Sequence, residues 1–354
     1  MPKTLIVFQG AILCLLFQPV YSKGITNKIP VDTSRMACQQ KALRILDEAI
    51  SILQKNYYKK ETVHWDELLT EAKTKIANAT SCNEASDIIN WCFGQLKETH
   101  SYLVSPTRSA IYNYDTSRLV TAPPLSQLVG EIKGELLDGN VGYITVPWIS
   151  TTDPAICTRI ADSLQQLIAR IDGQEVSKWI IDLRKNTGGN CWPMLAGIGP
   201  LLGDGICGYF LSNDEKVAIS YRDGAAWHGR HTRCRVSGNG YTPRSGNKWI
   251  AVLTGPQTSS SGEIVALAFK QMNQVYFYGE PTAGFTTANA TYTLSDNSML
   301  VVTVCREADR TGAVQYGKII PHDIITTDKN TSDDTVKNKA LMWLQSISET
   351  TASY

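Results

Sequence analysis

Apolar side chains recur at helical spacing in three consecutive stretches of the chain. They are Leu43, Leu46, Ala49, Ile50 and Leu53; then Trp65, Leu68, Leu69, Ala72 and Ile76; then Ile88, Ile89, Trp91, Cys92 and Leu96. Each pattern gives a helix one apolar face, and together they predict a small helical bundle over residues 36–100. Ser81, with Glu84 three residues on, supplies a capping box for the third helix. Beyond residue 141 the period changes. Short apolar runs at 141–147, 178–183, 248–254 and 275–278 alternate with amphipathic stretches at 154–172, 193–201 and 261–272. This alternation predicts an α/β fold with a largely parallel sheet. Residues 204–247, rich in glycine and polar residues with short strand-like runs, predict a small β cap over the cleft. A last helix over 333–347 carries Val336, Ala340, Leu341, Trp343 and Leu344.

Two polar turns follow buried strands, at the strand ends where open α/β sheets place their sites. The first is Thr258-Ser259-Ser260-Ser261-Gly262-Glu263, between Trp249–Leu253 and the apolar helix that starts at Ile264. It sets a hydroxyl at a helix N-terminus, where free N–H groups and the helix dipole can hold a developing negative charge. Such serines either cap the helix or act as a nucleophile. The second turn is Lys185-Asn186-Thr187-Gly188-Gly189-Asn190. Its paired glycines allow a sharp turn and a close backbone approach. They suit an ordinary turn or an oxyanion-binding N–H. A phosphate loop is excluded because no Gly-Lys-Ser/Thr follows at the required spacing.

The ordered set "IIDLRKNTGGN", "TSSSGE", Gly279-Glu280-Pro281-Thr282-Ala283-Gly284 and a closing "ADRTG…Y…IIPHD" resembles the tail-specific (C-terminal-processing) serine peptidase family over about residues 96–325. Within that family it is most similar to the lysine-free bacterial branch that includes the nisin-resistance protein. The better-known branch carries a lysine base where this chain has Phe285. The lysine-free branch uses the histidine of a His-Ser element, which matches His100-Ser101. The resemblance implies Ser260 as nucleophile, His100 as general base, and a contributing role for Glu263, either holding the turn or holding His100. It implies an oxyanion hole from the N–H of Ser261 with that of Gly189, or alternatively Gly188. Gly188, Asn190 and Thr282, within the same motifs, are expected to bind substrate. Asp309-Arg310-Thr311-Gly312 and Pro321-His322-Asp323 are expected to build the cleft wall. The fold implied is α/β with a ClpP/crotonase-like peptidase core in residues 101–350. The interval between His100 and the strand at Val141 is too short for the PDZ module of many relatives, which needs a full small domain.

Lys3, the apolar stretch Leu5–Phe17 and the small or polar residues before Lys23 describe a secretory signal over residues 1–22. Cleavage after Ser22 gives a secreted or periplasmic protein with no membrane span; the alternative is retention as an anchor. Eight cysteines remain after Cys14 is removed, an even number that suits disulfides in an exported chain. A bridge from Cys38 to Cys82 or Cys92 is expected, because Cys82 and Cys92 lie too far apart along one helix to pair. No cysteine or histidine cluster has zinc-ligand spacing, so no metal or other cofactor is expected. A net charge of +1 without basic clusters excludes a nucleic-acid partner. Asn78-Ala79-Thr80, Asn289-Ala290-Thr291 and Asn330-Thr331-Ser332 are glycosylation sequons.

These readings combine into an exported serine endopeptidase that cuts peptides or proteins near the C-terminus with a Ser-His pair. The alternatives are a non-catalytic lipid- or peptide-binding protein on the same fold, and an esterase.

Overall fold

The structure, a computed structural model, describes residues 31–347 apart from 80, 82, 98, 114–122, 175, 214 and 327–332. The expected signal at 1–22, Cys14 and Cys82 lie outside the described residues. Helices α1 (Val31–Asn56), α2 (Trp65–Ala77) and α3 (Asn83–Gln95) form where the 3.6-residue pattern runs. Their apolar stripes meet: Leu46, Ala49, Leu53, Ala72, Ile76 and Ile89 are buried in one cluster. That cluster also takes in Leu300 and Val302, so the helices share their core with a strand from late in the chain.

The remaining elements, in order, are β1 (Tyr102–Val104), α4 (Pro106–Tyr112), β2 (Gly134–Leu137), β3 (Val141–Thr145), α5 (Pro154–Ile171), β4 (Lys178–Asp182), α6 (Cys191–Leu202), β5 (Gly205–Leu211), β6 (Lys216–Arg222), β7 (Ala225–His228), β8 (His231–Arg235), β9 (Trp249–Thr254), α7 (Ser261–Phe269), β10 (Val275–Gly279), β11 (Thr287–Thr293), β12 (Met299–Ala308), β13 (Asp323–Ile324) and α8 (Thr335–Ser346). Six strands form a sheet in the order β13-β10-β9-β4-β3-β2, parallel at every pairing except β2 with β3. Its central strands read as unbroken apolar runs because both faces are covered. Trp179, Ile181, Ile250 and Val252 enter the large core with α5, α6 and α7. Their neighbours Ile180, Ala251 and Leu253 pack on Val336, Ala340 and Leu344 of α8.

A seven-stranded antiparallel sheet follows the order β1-β12-β5-β6-β7-β8, with β11 also paired to β12. Ile219, Tyr221 and Ala226 of this sheet share a core with Ile181 and Val252 of the other. Helix α7 touches both β9 and β5, and so ties one sheet to the other. This arrangement corrects the expectation of a ClpP/crotonase-like core. That expectation placed the chemistry on one parallel sheet, whereas the larger sheet here is antiparallel and gathers strands from Tyr102 to Ala308. Its strands were hard to see because they mix polarities: β11 is largely Thr, Asn and Ala, and β12 carries Arg306 and Glu307.

The expectation that the even cysteine count reflects disulfides is corrected for six of the eight. Cys92, Cys157, Cys191, Cys207, Cys234 and Cys305 are free thiols, all buried as small apolar residues. Burial pushes the Cys92 thiol up to about 12. Cys38 is disulfide-bonded, and no bridge joins two described cysteines, which removes Cys92 as its partner. Among the described residues no helix is long and apolar enough to cross a membrane.

Helix α8 is anchored to the parallel sheet by one guanidinium. Arg184 donates to Asp334 Oδ1 and Oδ2 at 2.6 and 2.7 Å, and to Asp182 Oδ2 at 2.6 Å. Asp334 also caps α8 by accepting from the Lys337 N–H at 3.1 Å. Burial pushes the Asp334 carboxyl up, but the Arg184 hydrogen bonds outweigh it and hold it below its ordinary value. A depressed native pKa means stability that is present above about pH 4 and lost as the pH falls. Asp334→Ala is therefore expected to cost about 1 to 2 kcal/mol at pH 7, the sum of a cap and a partly exposed ion pair. Urea unfolding of both proteins checks this, and their difference should shrink at pH 3.

Candidate active site

Three loops at the C-terminal ends of parallel strands converge. Loop 183–190 leaves β4, loop 255–260 leaves β9, and loop 280–286 leaves β10. Asn186 joins the first two from a fully buried position. Its Nδ2 donates to the carbonyls of Val146 and Pro147, each at 3.1 Å. Its Oδ1 accepts from Gly188 N–H at 2.9 Å, and its own carbonyl accepts from Ser259 N–H at 3.0 Å. The glycines are a steric requirement. Gly189 has φ 107°, and a Cβ there would lie 2.0 Å from the Ile149 carbonyl oxygen. A Cβ on Gly188, at φ 96°, would lie 2.9 Å from Ser260 Cβ.

Ser260 immediately precedes α7, with φ 51° and ψ −119°. A non-glycine residue in this region stores about 1 to 3 kcal/mol of strain and persists only where its surroundings hold it. Here Glu263 holds it. Its Oε2 accepts from Ser260 N–H at 2.9 Å, while Oε1 accepts from Gly284 N–H at 2.8 Å and from the Thr282 hydroxyl. Burial pushes the Glu263 carboxyl above its ordinary value, and these donors pull against that shift. Ser260 Oγ is thereby presented to His100 Nε2 at 3.1 Å. The other ring nitrogen, Nδ1, lies 2.8 Å from Thr287 Oγ1. The Phe285 ring packs on the imidazole with centroids 5.0 Å apart.

The sequence-predicted residues fall into three groups. Ser260 and His100 meet directly, although 160 positions separate them. Ser261, Gly188 and Gly189 surround them: Ser261 Oγ donates to the Gly189 carbonyl at 2.5 Å, and Gly188 N–H is spent on Asn186. Among the described residues the N–H groups of Ser261 and Gly189 have no acceptor, and Gly189 is exposed. Glu263, Asn190 and Thr282 support the loops. Asn190 caps α6 through Trp192 N–H, and Thr282 is fully buried between Glu263 and Ile319 N–H. In the late motifs, Asp309 Oδ1 closes its own turn, and Arg310 caps the C-terminal end of α7 at the Ala268 carbonyl. His322 Nδ1 accepts from Phe277 N–H and links β13 to β10. Among the described residues no cluster of His, Cys, Asp or Glu could hold a metal ion.

Sequence reasoning gave no role to Asn186, Thr287, Asn289 or Glu307. Asn289 was read only as a sequon, but its Nδ2 donates to the His100 carbonyl at 2.9 Å, so its amide is committed inside the fold.

The family model described as peptidase family S41 matches residues 140–326. This chain belongs to peptidase family S41. That is the family of tail-specific serine peptidases whose motifs the sequence carries. The nisin-resistance protein of Lactococcus lactis subsp. lactis is 31% identical over 216 residues, 59% of this chain. The chain spans 62% of that relative's length. Among solved structures, a lipoprotein from Streptococcus agalactiae superposes with TM-score 0.68 at 21% identity, covering 86% of this chain and 96% of that one. The photosystem II D1 C-terminal processing protease superposes with TM-score 0.54 at 16% identity, covering 86% and 97%. These neighbours give the chain the S41-type fold of curled β-sheets and helices and displace the ClpP/crotonase-like assignment.

Glu307 of β12 lies close enough to Glu263 to feel its charge. It is 1% exposed, and among the described residues neither carboxylate oxygen has a hydrogen-bond partner. Burial, with the Glu263 charge adding to it, pushes its carboxyl well above the ordinary value. The folded protein thus keeps a proton that the unfolded chain releases above about pH 4.5. Stability tied to that proton is present below this pH and lost as the pH rises. Glu307→Gln, neutral at every pH, is expected to raise Tm by roughly 2 to 4 °C at pH 8 and by less at pH 4.5. Thermal unfolding at the two pH values checks this; equal shifts would mean that no proton is retained.

Proposed function

We propose that this protein is an exported serine endopeptidase that cleaves peptides or proteins near their C-termini. One observation carries the reading: His100 Nε2 lies 3.1 Å from the hydroxyl of a strained serine at a helix start, with two uncommitted N–H groups beside it. Ser260 Oγ attacks the scissile carbonyl carbon while its proton passes to His100 Nε2. The carbonyl oxygen becomes an oxyanion, held by the N–H groups of Ser261 and Gly189. Collapse breaks the C–N bond, and His100 returns the proton to the leaving amine. Water then repeats the sequence on the acyl-enzyme, with His100 as base, and frees Ser260. Gly188 and Asn190, on the loop that follows β4, are the proposed substrate-binding positions. Glu263 holds the turn rather than moving protons, because its oxygens are engaged by Ser260, Thr282 and Gly284.

Membership of a tail-specific peptidase family supports the C-terminal preference, as does the name of the D1 C-terminal processing protease. The secretory pattern of residues 1–22 supports a secreted or periplasmic location, and the related S. agalactiae lipoprotein agrees with it. Peptide or protein is the expected substrate, with no nucleic-acid partner.

Ser260→Ala is expected to abolish peptide hydrolysis and fluorophosphonate labelling without changing Tm by more than a few degrees, because a hydroxyl is lost and little packing. His100→Ala should fall by a comparable factor, about 10⁴ or more, because the two groups act as one unit. N-terminomic profiling of exported peptides with the parent protein against Ser260→Ala would reveal the cleaved bonds. A well-folded parent whose serine ignores fluorophosphonate would instead indicate a binding protein.

A further inference from the structure

The base of a serine peptidase must keep a lone pair on the nitrogen that faces the nucleophile. For His100 that nitrogen is Nε2, so the neutral ring must carry its proton on Nδ1. Nδ1 then needs an acceptor, and the group at 2.8 Å is a hydroxyl, Thr287 Oγ1. We propose that Thr287 is the positioning residue for His100, a neutral hydroxyl that selects the Nδ1–H tautomer and aims Nε2 at Ser260. The proposal rests on the Ser260–His100 reading.

The surrounding strand is built for this task. Side chains at alternate positions share a face of an extended chain. Phe285, Thr287 and Asn289 alternate, and all three meet His100. Phe285 packs on the ring, Thr287 meets Nδ1, and Asn289 Nδ2 donates to the main-chain carbonyl. Asn289 is itself fixed, since its Oδ1 accepts from Thr303 Oγ1 at 3.0 Å. Thr303 N–H in turn donates to Ser101 Oγ at 2.9 Å. The β11–β12 register shifts between Ala288 and Asn289, a local irregularity of the kind that re-aims side chains beside active sites. Strand β11, with the loop residue Phe285 just before it, thus fixes the face, the tautomer and the backbone of the base.

A hydroxyl orients the imidazole but brings no full charge to the imidazolium that forms when Ser260 gives up its proton. A carboxylate at the same position would do both, and would raise the imidazole pKa. The role is therefore separable from mere packing.

The test uses the full chain and the rate of fluorophosphonate labelling, which needs no knowledge of the natural substrate. In that reaction Ser260 Oγ bonds to phosphorus, fluoride leaves, and His100 Nε2 takes the serine proton. Thr287→Ser keeps the oxygen and should label within about threefold of the parent. Thr287→Val keeps the shape without the oxygen and should label about ten- to a hundredfold more slowly, the loss of one hydrogen bond to a reacting group. Should Val unfold the protein, Thr287→Ala is read in its place. Thr287→Asp should move the acid limb of the pH–rate profile upward by roughly one unit or more. Parent-like labelling by Val, a Ser variant as slow as Val, or an acid limb unmoved by Asp would overturn the proposal. Ser260→Ala serves as the control. If it still labels, the Ser260–His100 reading itself falls, which is distinguishable from a parent-like Val variant in a protein where Ser260→Ala is silent.

Discussion

Glu263 is a carboxyl group with no access to water, and the candidate site is arranged around it. It is fully buried on the first turn of α7. A buried carboxylate is costly unless donors surround it. Its donors come from two separate loops: Ser260 N–H from the turn before the helix, and the Thr282 hydroxyl and Gly284 N–H from the segment after β10. Relaxing Ser260 out of its positive-φ conformation would withdraw one of them. Strain of a few kcal/mol at Ser260 is thereby set against the larger cost of orphaning a buried charge. Asn186 performs the matching task on the other side, tying the glycine loop to Ser259 and to the end of β3.

The proposed nucleophile and the proposed base belong to different sheets. Ser260, Ser261 and Gly189 follow strands of the parallel sheet, whereas His100 precedes β1 and is held by β11, both paired to β12. Their 3.1 Å approach is therefore fixed by how the two sheets pack through α6 and α7. A rigid, close-packed interior holds such a distance where a loop alone would not. Arg310 adds a direct tie, since it follows β12 and caps the end of α7, the helix that Ser260 begins. The late motif that carries it thus works at a distance from the reacting atoms.

Local pattern revealed every helix but the short α4, the apolar strands β3, β4, β9 and β10, and both motif turns, because each of these is written in consecutive residues. The family motifs brought Ser260 and His100 together on paper, and the structure brings them together in space. Thr287 was out of reach. It lies 187 positions from His100, and a single threonine in a polar strand looks like any other. Thr282 was visible as part of a motif, but its burial beneath the site was not. The antiparallel sheet was missed for a related reason: β12 pairs with β1, β5 and β11, and register between distant strands leaves no short-range period. The even cysteine count misled because a buried thiol packs well as a small apolar residue without any redox role.

The same burial that fixes geometry also constrains charge. In the proposed mechanism the oxyanion forms beside Ser261 and Gly189, at the positive end of α7. Glu263 occupies that end and partly cancels its field, a consequence of using a carboxylate to hold the turn. A second ionised acid nearby would weaken the site further. Glu307 faces this interior with no donor of its own, and the charge on Glu263 adds to burial in keeping its proton in place. The two carboxyl groups therefore differ: burial pushes both up, but the donors around Glu263 pull against that shift, whereas Glu307 has no such donors among the described residues and is pushed well above its ordinary value. The Thr287 hydroxyl against His100 Nδ1 fits the same pattern, in which orientation is supplied by hydrogen bonds.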